Sequence, residues 1–315
     1  MFEPDMMAAI RRLRRKLTFW RVTAVIAIVA ALAAALWEET GGGMSAHIAR
    51  VRVTGLITGA QRQLDLLDSL ARSKKVKAVI VRINSPGGTT VGSEAVHDAL
   101  RRIAAKKPVV AVMDSVAASG GYIAALGTDR IFARGNTITG SIGVIFQWTE
   151  LRGLMDKIGV KMRTIKSAPL KAEPNPFSEL TPEVRKVTEE LVRDSFQWFV
   201  GLVAKRRKMD RDRALKLADG RVYSGRQAVK NGLVDALGDE RAALKWLRGK
   251  KGVGKKLKVI EHKPRKLTDS LGLSFSMARA VLRLTGLSAL LAPAQDAMTQ
   301  AGQLDGLVCI WQPER

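Results

Sequence analysis

From His47 onward, short apolar runs of β character alternate with runs of helical character, and this order leaves few folds open. Ile48–Val53 alternates as a strand, Val76–Ile83 (VKAVIVRI) reads as a buried strand, and Val91–Lys106 reads as a helix. Pro108–Met113 (PVVAVM) is a further strand, Ser119–Gly127 a short helix and Arg130–Ala133 a brief strand. Leu151–Ile158 reads as helical and Val160–Ile165 as a strand. Strands alternating with helices in this way predict a parallel sheet flanked by helices. Thr181 caps a long helix with Pro182 at its first position, running to about Lys208. Asp219–Gly238 reads as a turn and helix, and the basic stretch after Leu247 as the end of a globular domain spanning 47–248. Residues 249–315 are expected to form a basic linker and an amphipathic tail. Leu271–Leu291 is apolar but broken by Gly272, Arg279, Arg283 and Gly286.

Upstream, Phe19–Trp37 (FWRVTAVIAIVAALAAALW) carries no charge from Val22 to Trp37. Nineteen residues at ~1.5 Å each reach roughly 28 Å, about one hydrocarbon core. Five cations between Arg11 and Lys16 precede it and Glu38–Glu39 follow, which places residues 1–18 in the cytoplasm and the bulk of the chain outside it. The segment 19–37 is expected to be an uncleaved anchor, followed by a linker at 38–46 containing Gly41-Gly42-Gly43. The competing reading is a cleaved signal peptide, for which Ala33-Ala34-Ala35 offers small residues.

The charge balance is strongly basic, with 53 Lys+Arg against 29 Asp+Glu for a net +24. Counting from Lys245 to Lys266, ten of 22 positions are Lys or Arg, and Glu261 is the lone acid. Lys205–Lys208 forms a second cluster. These runs are either solvated surface or an attraction to anionic lipid, and no aromatic interleaving suggests nucleic acid. The single cysteine, Cys309, excludes an intrachain disulfide.

Two glycine-rich turns carry the chemistry. Asn84-Ser85-Pro86-Gly87-Gly88 follows the VKAVIVRI run, and Ala118-Ser119-Gly120-Gly121-Tyr122 follows PVVAVM. A serine at a strand-to-helix junction is a candidate nucleophile. Amides beside it and on a second glycine loop make a candidate oxyanion hole, with Gly120 and Gly88 in those places. There are three histidines, His47, His97 and His262, and none has a triad setting in the sequence. A desolvated lysine can serve as base instead. Lys171, in a Pro-containing loop after VKMRTI, is the best candidate, though in so basic a chain composition singles it out only weakly.

The motifs INSPGG (83–88), DSVAASGGYIAA (114–125), ITGSIGV (138–144), IKSAPLKAEPNPF (165–177) and GRVYSGRQAVKNGLVDALG (220–238) together resemble the signal peptide peptidase A family (peptidase family S49, single-repeat type) of the Clp-protease/crotonase superfamily. The resemblance implies a Clp-protease/crotonase-like α/β fold behind the N-terminal helix, with Ser119 as nucleophile and Lys171, rather than Lys166, as base. It also implies that Ser141 orients the lysine amine and that Gly88 and Gly120 form the oxyanion hole. No metal or cofactor is implied. The expected partners are membrane lipids, cleaved signal peptides and other unfolded apolar peptides, with no nucleic acid. Further copies of the chain would form a ring whose active sites lie between neighbours, so that Ser119 and Lys171 can come from different chains. Where the family has Ser-Gly in the lysine loop, this chain has Ser167-Ala168 followed by Pro169. The expected protein is thus a single-pass bacterial inner-membrane serine endopeptidase with its catalytic domain outside the cytoplasm. The alternatives are a related membrane-linked Ser-Lys protease with other targets and a crotonase-type acyl-CoA enzyme.

Overall fold

The computed structural model describes residues 14–23, 26, 45–250, 252–264 and 307–310. The chain divides into Met1–Ala46 and His47–Arg315. In the first unit residues 14–23 are helical, with Phe19 and Trp20 exposed. Among the described residues no helix is long and apolar enough to cross a membrane. Most of the span expected at 19–37 lies outside the described residues.

The second unit is built on a sheet whose first strands are β1 (His47–Ile57), β2 (Val76–Thr89) and β3 (Val109–Ala118), with α1 (Gln61–Arg72) and α2 (Thr90–Ala104) as crossovers. β2 pairs in parallel with β1 from His47↔Val76 to Ile57↔Gly88, and with β3 from Val79↔Val109 to Ser85↔Ala117. α3 (Gly120–Leu126) leads to β4 (Arg130–Ala133), which extends the parallel sheet, and β5 (Ile138–Gly140) pairs beside the end of β3. The apolar run of β2 is explained by burial on both faces. Val79, Val81 and Ile83 join the core under α2 and α3, and Ala78 and Ile80 join a second cluster with Ala243 and Leu247.

After β6 (Ile145–Phe146) and the short α4 (Arg152–Lys157), the chain runs to the long α5 (Pro182–Arg207). Thr181 Oγ1 accepts from the Val184 amide, as its capping position predicts. α6 (Arg211–Lys216), β7 (Val222–Ser224), α7 (Gly225–Lys230), β8 (Ala236–Leu237) and α8 (Glu240–Arg248) complete the helical face and the far sheet edge.

Three features depart from the sequence reading. Residues 160–165 form no strand; they are exposed, Ile165 fully so, and pair with no strand among the described residues. The sheet continues beyond 248, because β9 (Val259–Glu261) pairs in parallel with β1, and β10 (Leu307–Ile310) joins β2. The sheet is also not wholly parallel, since β10 runs antiparallel to β2 and β6, and β7 antiparallel to β5.

Candidate active site

Ser119 stands between the last residue of β3 and the first turn of α3, with φ 53° and ψ −117°. A non-glycine residue is strained there, and such strain persists only where the surroundings fix it. The Ser119 amide donates to the Gly140 carbonyl at 2.8 Å, and the Ser119 carbonyl accepts from the Tyr122 and Ile123 amides. Tyr122 is itself fully buried and anchored by Oη donating to the Leu233 carbonyl at 2.8 Å. The serine side chain is 1% exposed, and its Oγ has no hydrogen-bond partner among the described residues. A buried hydroxyl left in that state is costly, and such groups call for an explanation, a catalytic role among them.

The other expected residues surround it unevenly. Gly120 is adjacent in the chain. Ser141 follows Gly140 with φ 47° and donates its amide to the Arg221 carbonyl at 2.9 Å, so the Ser119–Gly140 bond brings Ser141 beside Ser119. Gly88 is the penultimate residue of β2, where a Cβ would sit 2.0 Å from the Ile57 carbonyl oxygen; only glycine permits that approach of β1. The turn before it is fixed by Ser85, fully buried, whose Oγ donates to the Gly55 carbonyl at 2.6 Å and accepts from the Gly87 amide at 3.1 Å. A Cβ at Gly121 would lie 2.7 Å from the Ser85 carbonyl oxygen, so the two glycine turns abut. Ser85 escaped the sequence reading; its signal was a hydroxyl two residues ahead of Gly87, the spacing of a side-chain-to-backbone turn.

Lys171 is not brought to Ser119. It is exposed, on a turn closed by its own amide donating to the Ala168 carbonyl at 3.1 Å. Most of 152–172 is exposed, including Leu154, Ile158, Met162 and Ile165. Lys166 is already engaged, because its Nζ is ion-paired with Glu173. Ser178 Oγ and Asn175 Nδ2 also donate to that carboxylate. These bonds, Lys166 first, hold the Glu173 carboxyl below its ordinary range. No histidine replaces the lysine. His97 is buried, and its Nδ1 lies 2.9 Å from Asp98. His47 and His262 face each other with Nε2 atoms 3.0 Å apart.

β10 occupies a telling position. Gly87 and Gly88 already have β1 on one side, at Leu56 and Ile57, so β10 takes the side that β3 holds up to Ser85↔Ala117. It fills the strand slot that β3 vacates where the chain turns at Ser119, with Cys309 opposite Gly88 and β6 on its outer side. It comes within 8 Å of α3 in Cα separation. Next to this slot, a groove of about 940 Å³ runs from Ser141 along Val144, Phe146, Trp148, Val192 and Phe196.

The family model Peptidase family S49 matches residues 101–254, and the Clp protease model matches residues 54–140. The chain is 38% identical over 257 residues to a protein of Enterococcus faecium named for signal peptide peptidase SppA, covering 76% of this chain and 73% of the relative. It is 41% identical over 201 residues to a protein of Synechocystis sp. named as a protease, covering 63% and 72%. The chain belongs to peptidase family S49. It is therefore a serine-type peptidase, on a mixed α/β fold whose core sheet is parallel. The S49 match takes in Ser119, Ser141 and Lys171. It is also 39% identical over 166 residues to Protease 4 of Salmonella typhi, covering 52% of this chain but 27% of that protein.

Proposed function

We propose that this S49 peptidase is a membrane-anchored serine endopeptidase in which Ser119 is the nucleophile and Lys171 of a neighbouring copy is the base. One observation carries the reading: the buried Ser119 hydroxyl has no partner while Lys171 sits exposed on an arm with its apolar residues in solvent. An arm of that composition gains by packing against another copy, and Lys166 is held elsewhere by Glu173.

In this mechanism an extended peptide replaces β10, adding antiparallel to Gly87–Thr89 as β10 does. The residue opposite Gly88 then presents its carbonyl near the amides of Gly88 and Gly120. Lys171, acting as the free amine, takes the Ser119 Oγ proton as that oxygen attacks the carbonyl carbon. The oxyanion is held by the two amides. The lysine proton passes to the leaving amine, and water, deprotonated by the same lysine, hydrolyses the acyl-enzyme. Ser141 orients the amine. The groove beyond Ser141 has apolar walls at Val144, Phe146, Trp148, Val192 and Phe196, with Arg185, Glu189, Arg193 and Asp219 also on its lining; those walls suit the apolar side chains of signal-peptide remnants and other unfolded segments as substrates. The apolar segment at 22–37 and the basic residues before it support the anchor and an extracytoplasmic catalytic domain.

Subunit mixing tests the reading. Ser119→Ala and Lys171→Met chains are each inactive, and a 1:1 mixture exchanged after mild dissociation regains about a quarter of the wild-type sites if each site draws on two chains. A mixture as inactive as its parents shows that both residues act from one chain.

A further inference from the structure

The strands of the core sheet start at the end opposite Ser119, and a cluster of cations lines a cavity there. Arg72, Lys74, Lys77, Lys106 and Lys107 line a cavity of about 530 Å³ that no acidic side chain lines. Of these, Arg72, Lys74, Lys77 and Lys106 are exposed. Lys107 is spent on the fold, donating to the Leu70 and Ser73 carbonyls at 2.8 and 2.7 Å. Its amine is held below the ordinary lysine range by burial first and then by repulsion from Lys106 and Lys77. The nearby acids are engaged: Asp68 with Arg102, and Asp129 with the Val109 amide and Arg101. The same end receives the basic segment after α8. The Ile48 amide donates to the Lys258 carbonyl and the His47 amide to the Lys75 carbonyl, and Lys255, Lys256 and Lys258 are exposed. The three strands that start here include β1, whose first residue, His47, continues the chain from the 38–46 stretch.

We infer that this strand-start end is a docking surface for anionic lipid headgroups, which seats the peptidase unit upright on the bilayer that anchors it. The inference rests on the anchored reading above. Lipid phosphates are favoured over nucleic acid because the chain enters the unit at this same end, so a tether through 19–37 delivers these cations to the membrane surface. Cations within a Debye length of an anionic leaflet are attracted to it and screened by salt. The parallel sheet then fixes the orientation of the site. β3 runs ten residues from Val109 to Ala118, so at ~3.3 Å per residue Ser119 stands roughly 30 Å from the headgroup plane. The substrates of such a site are segments that have already left the bilayer, not residues within it.

Amine-acylation footprinting of the full chain in nanodiscs tests this. With phosphatidylglycerol in the disc, Lys74, Lys77 and Lys106 are expected to react about fivefold more slowly than in pure phosphatidylcholine. High salt should remove the protection, and the arm lysines Lys157 and Lys161 should react equally in both. The Lys74→Glu/Lys77→Glu/Lys106→Glu chain should lose salt-sensitive flotation with phosphatidylglycerol vesicles yet cleave a soluble peptide at the wild-type rate. Equal labelling in the two discs overturns the inference. So does protection by duplex DNA that phosphatidylglycerol does not match, which would mark a nucleic-acid face. Full protection by inorganic phosphate in phosphatidylcholine discs also overturns it, by marking a small-anion site. Failure of the chain to stay with phosphatidylcholine discs instead sinks the anchor, and vesicle flotation then still decides the surface.

Discussion

The orphaned hydroxyl of Ser119 makes a thermodynamic prediction separate from any activity. Within one chain the Oγ is buried and unpartnered, a state that costs about 1–3 kcal/mol. If an amine from a neighbour reaches it, that cost is replaced by a hydrogen bond worth about 1 kcal/mol. Ser119→Ala should therefore stabilise a chain that lacks the amine, because alanine keeps the strained φ of 53° but removes the desolvated oxygen. In the Lys171→Met background the gain is expected to be about 1 kcal/mol, or ~2–4 °C in Tm for a unit of this size. In the background that keeps Lys171 the same substitution should be neutral or destabilising, giving a coupling of about 1–2 kcal/mol. The assay is urea unfolding or calorimetry of the four chains in detergent at one protein concentration, since assembly makes Tm concentration-dependent. A coupling within about 0.3 kcal/mol of zero would refute the reasoning, because Lys171 would then not meet Ser119 in the resting assembly.

Lys171→Met should reduce peptidase activity at least ~10³-fold with unchanged hydrogen exchange over 166–178. Lys166→Met should instead strand the Glu173 carboxylate, whose side chain is 8% exposed, and speed exchange over the same residues with a partial loss of activity. Deleting 306–315 should raise kcat/KM on short peptides by emptying the slot beside Gly87–Thr89; unchanged kinetics would mean that β10 does not compete with substrate. Burial lowers the pKa of both His97 and His262, the latter also through His47. The unfolded chain therefore takes up these protons first as pH falls through ~6.5, and Tm should decline below that point. His262→Gln should flatten part of the decline.

The parts of the fold that were legible in the sequence were those in which local pattern and tertiary fate agree. The VKAVIVRI and PVVAVM runs become β2 and β3 because both faces are covered, and Thr181-Pro182 starts α5 because capping is a local matter. Gly88 and Gly121 were legible as special turns, but the reason they must be glycine lies in the Ile57 and Ser85 carbonyls, which the sequence does not place. The burial of His97 was not legible, because charged neighbours on one helix say nothing of what packs against its inner face. β9 and β10 were missed because each is only three or four residues long and is specified by the strand it joins.

The failure at Val160–Ile165 has a different cause, and it bears on the active site. The alternation there has strand character, yet the segment finds no edge and leaves Ile165 fully exposed. A strand-like segment left unpaired is able to pair with another molecule, as in β-augmentation. The same arm carries Lys171, and the buried Ser119 Oγ has no hydrogen-bond partner within the described chain. One contact between copies would resolve both, giving the arm an edge or groove and the hydroxyl an amine. If the arm is ordered by assembly, exchange over 160–172 must slow as protein concentration rises through the assembly range, and activity must rise over the same concentrations. Protection of the arm that does not vary with concentration, alongside full activity in dilute solution, would mean that the arm folds onto its own chain.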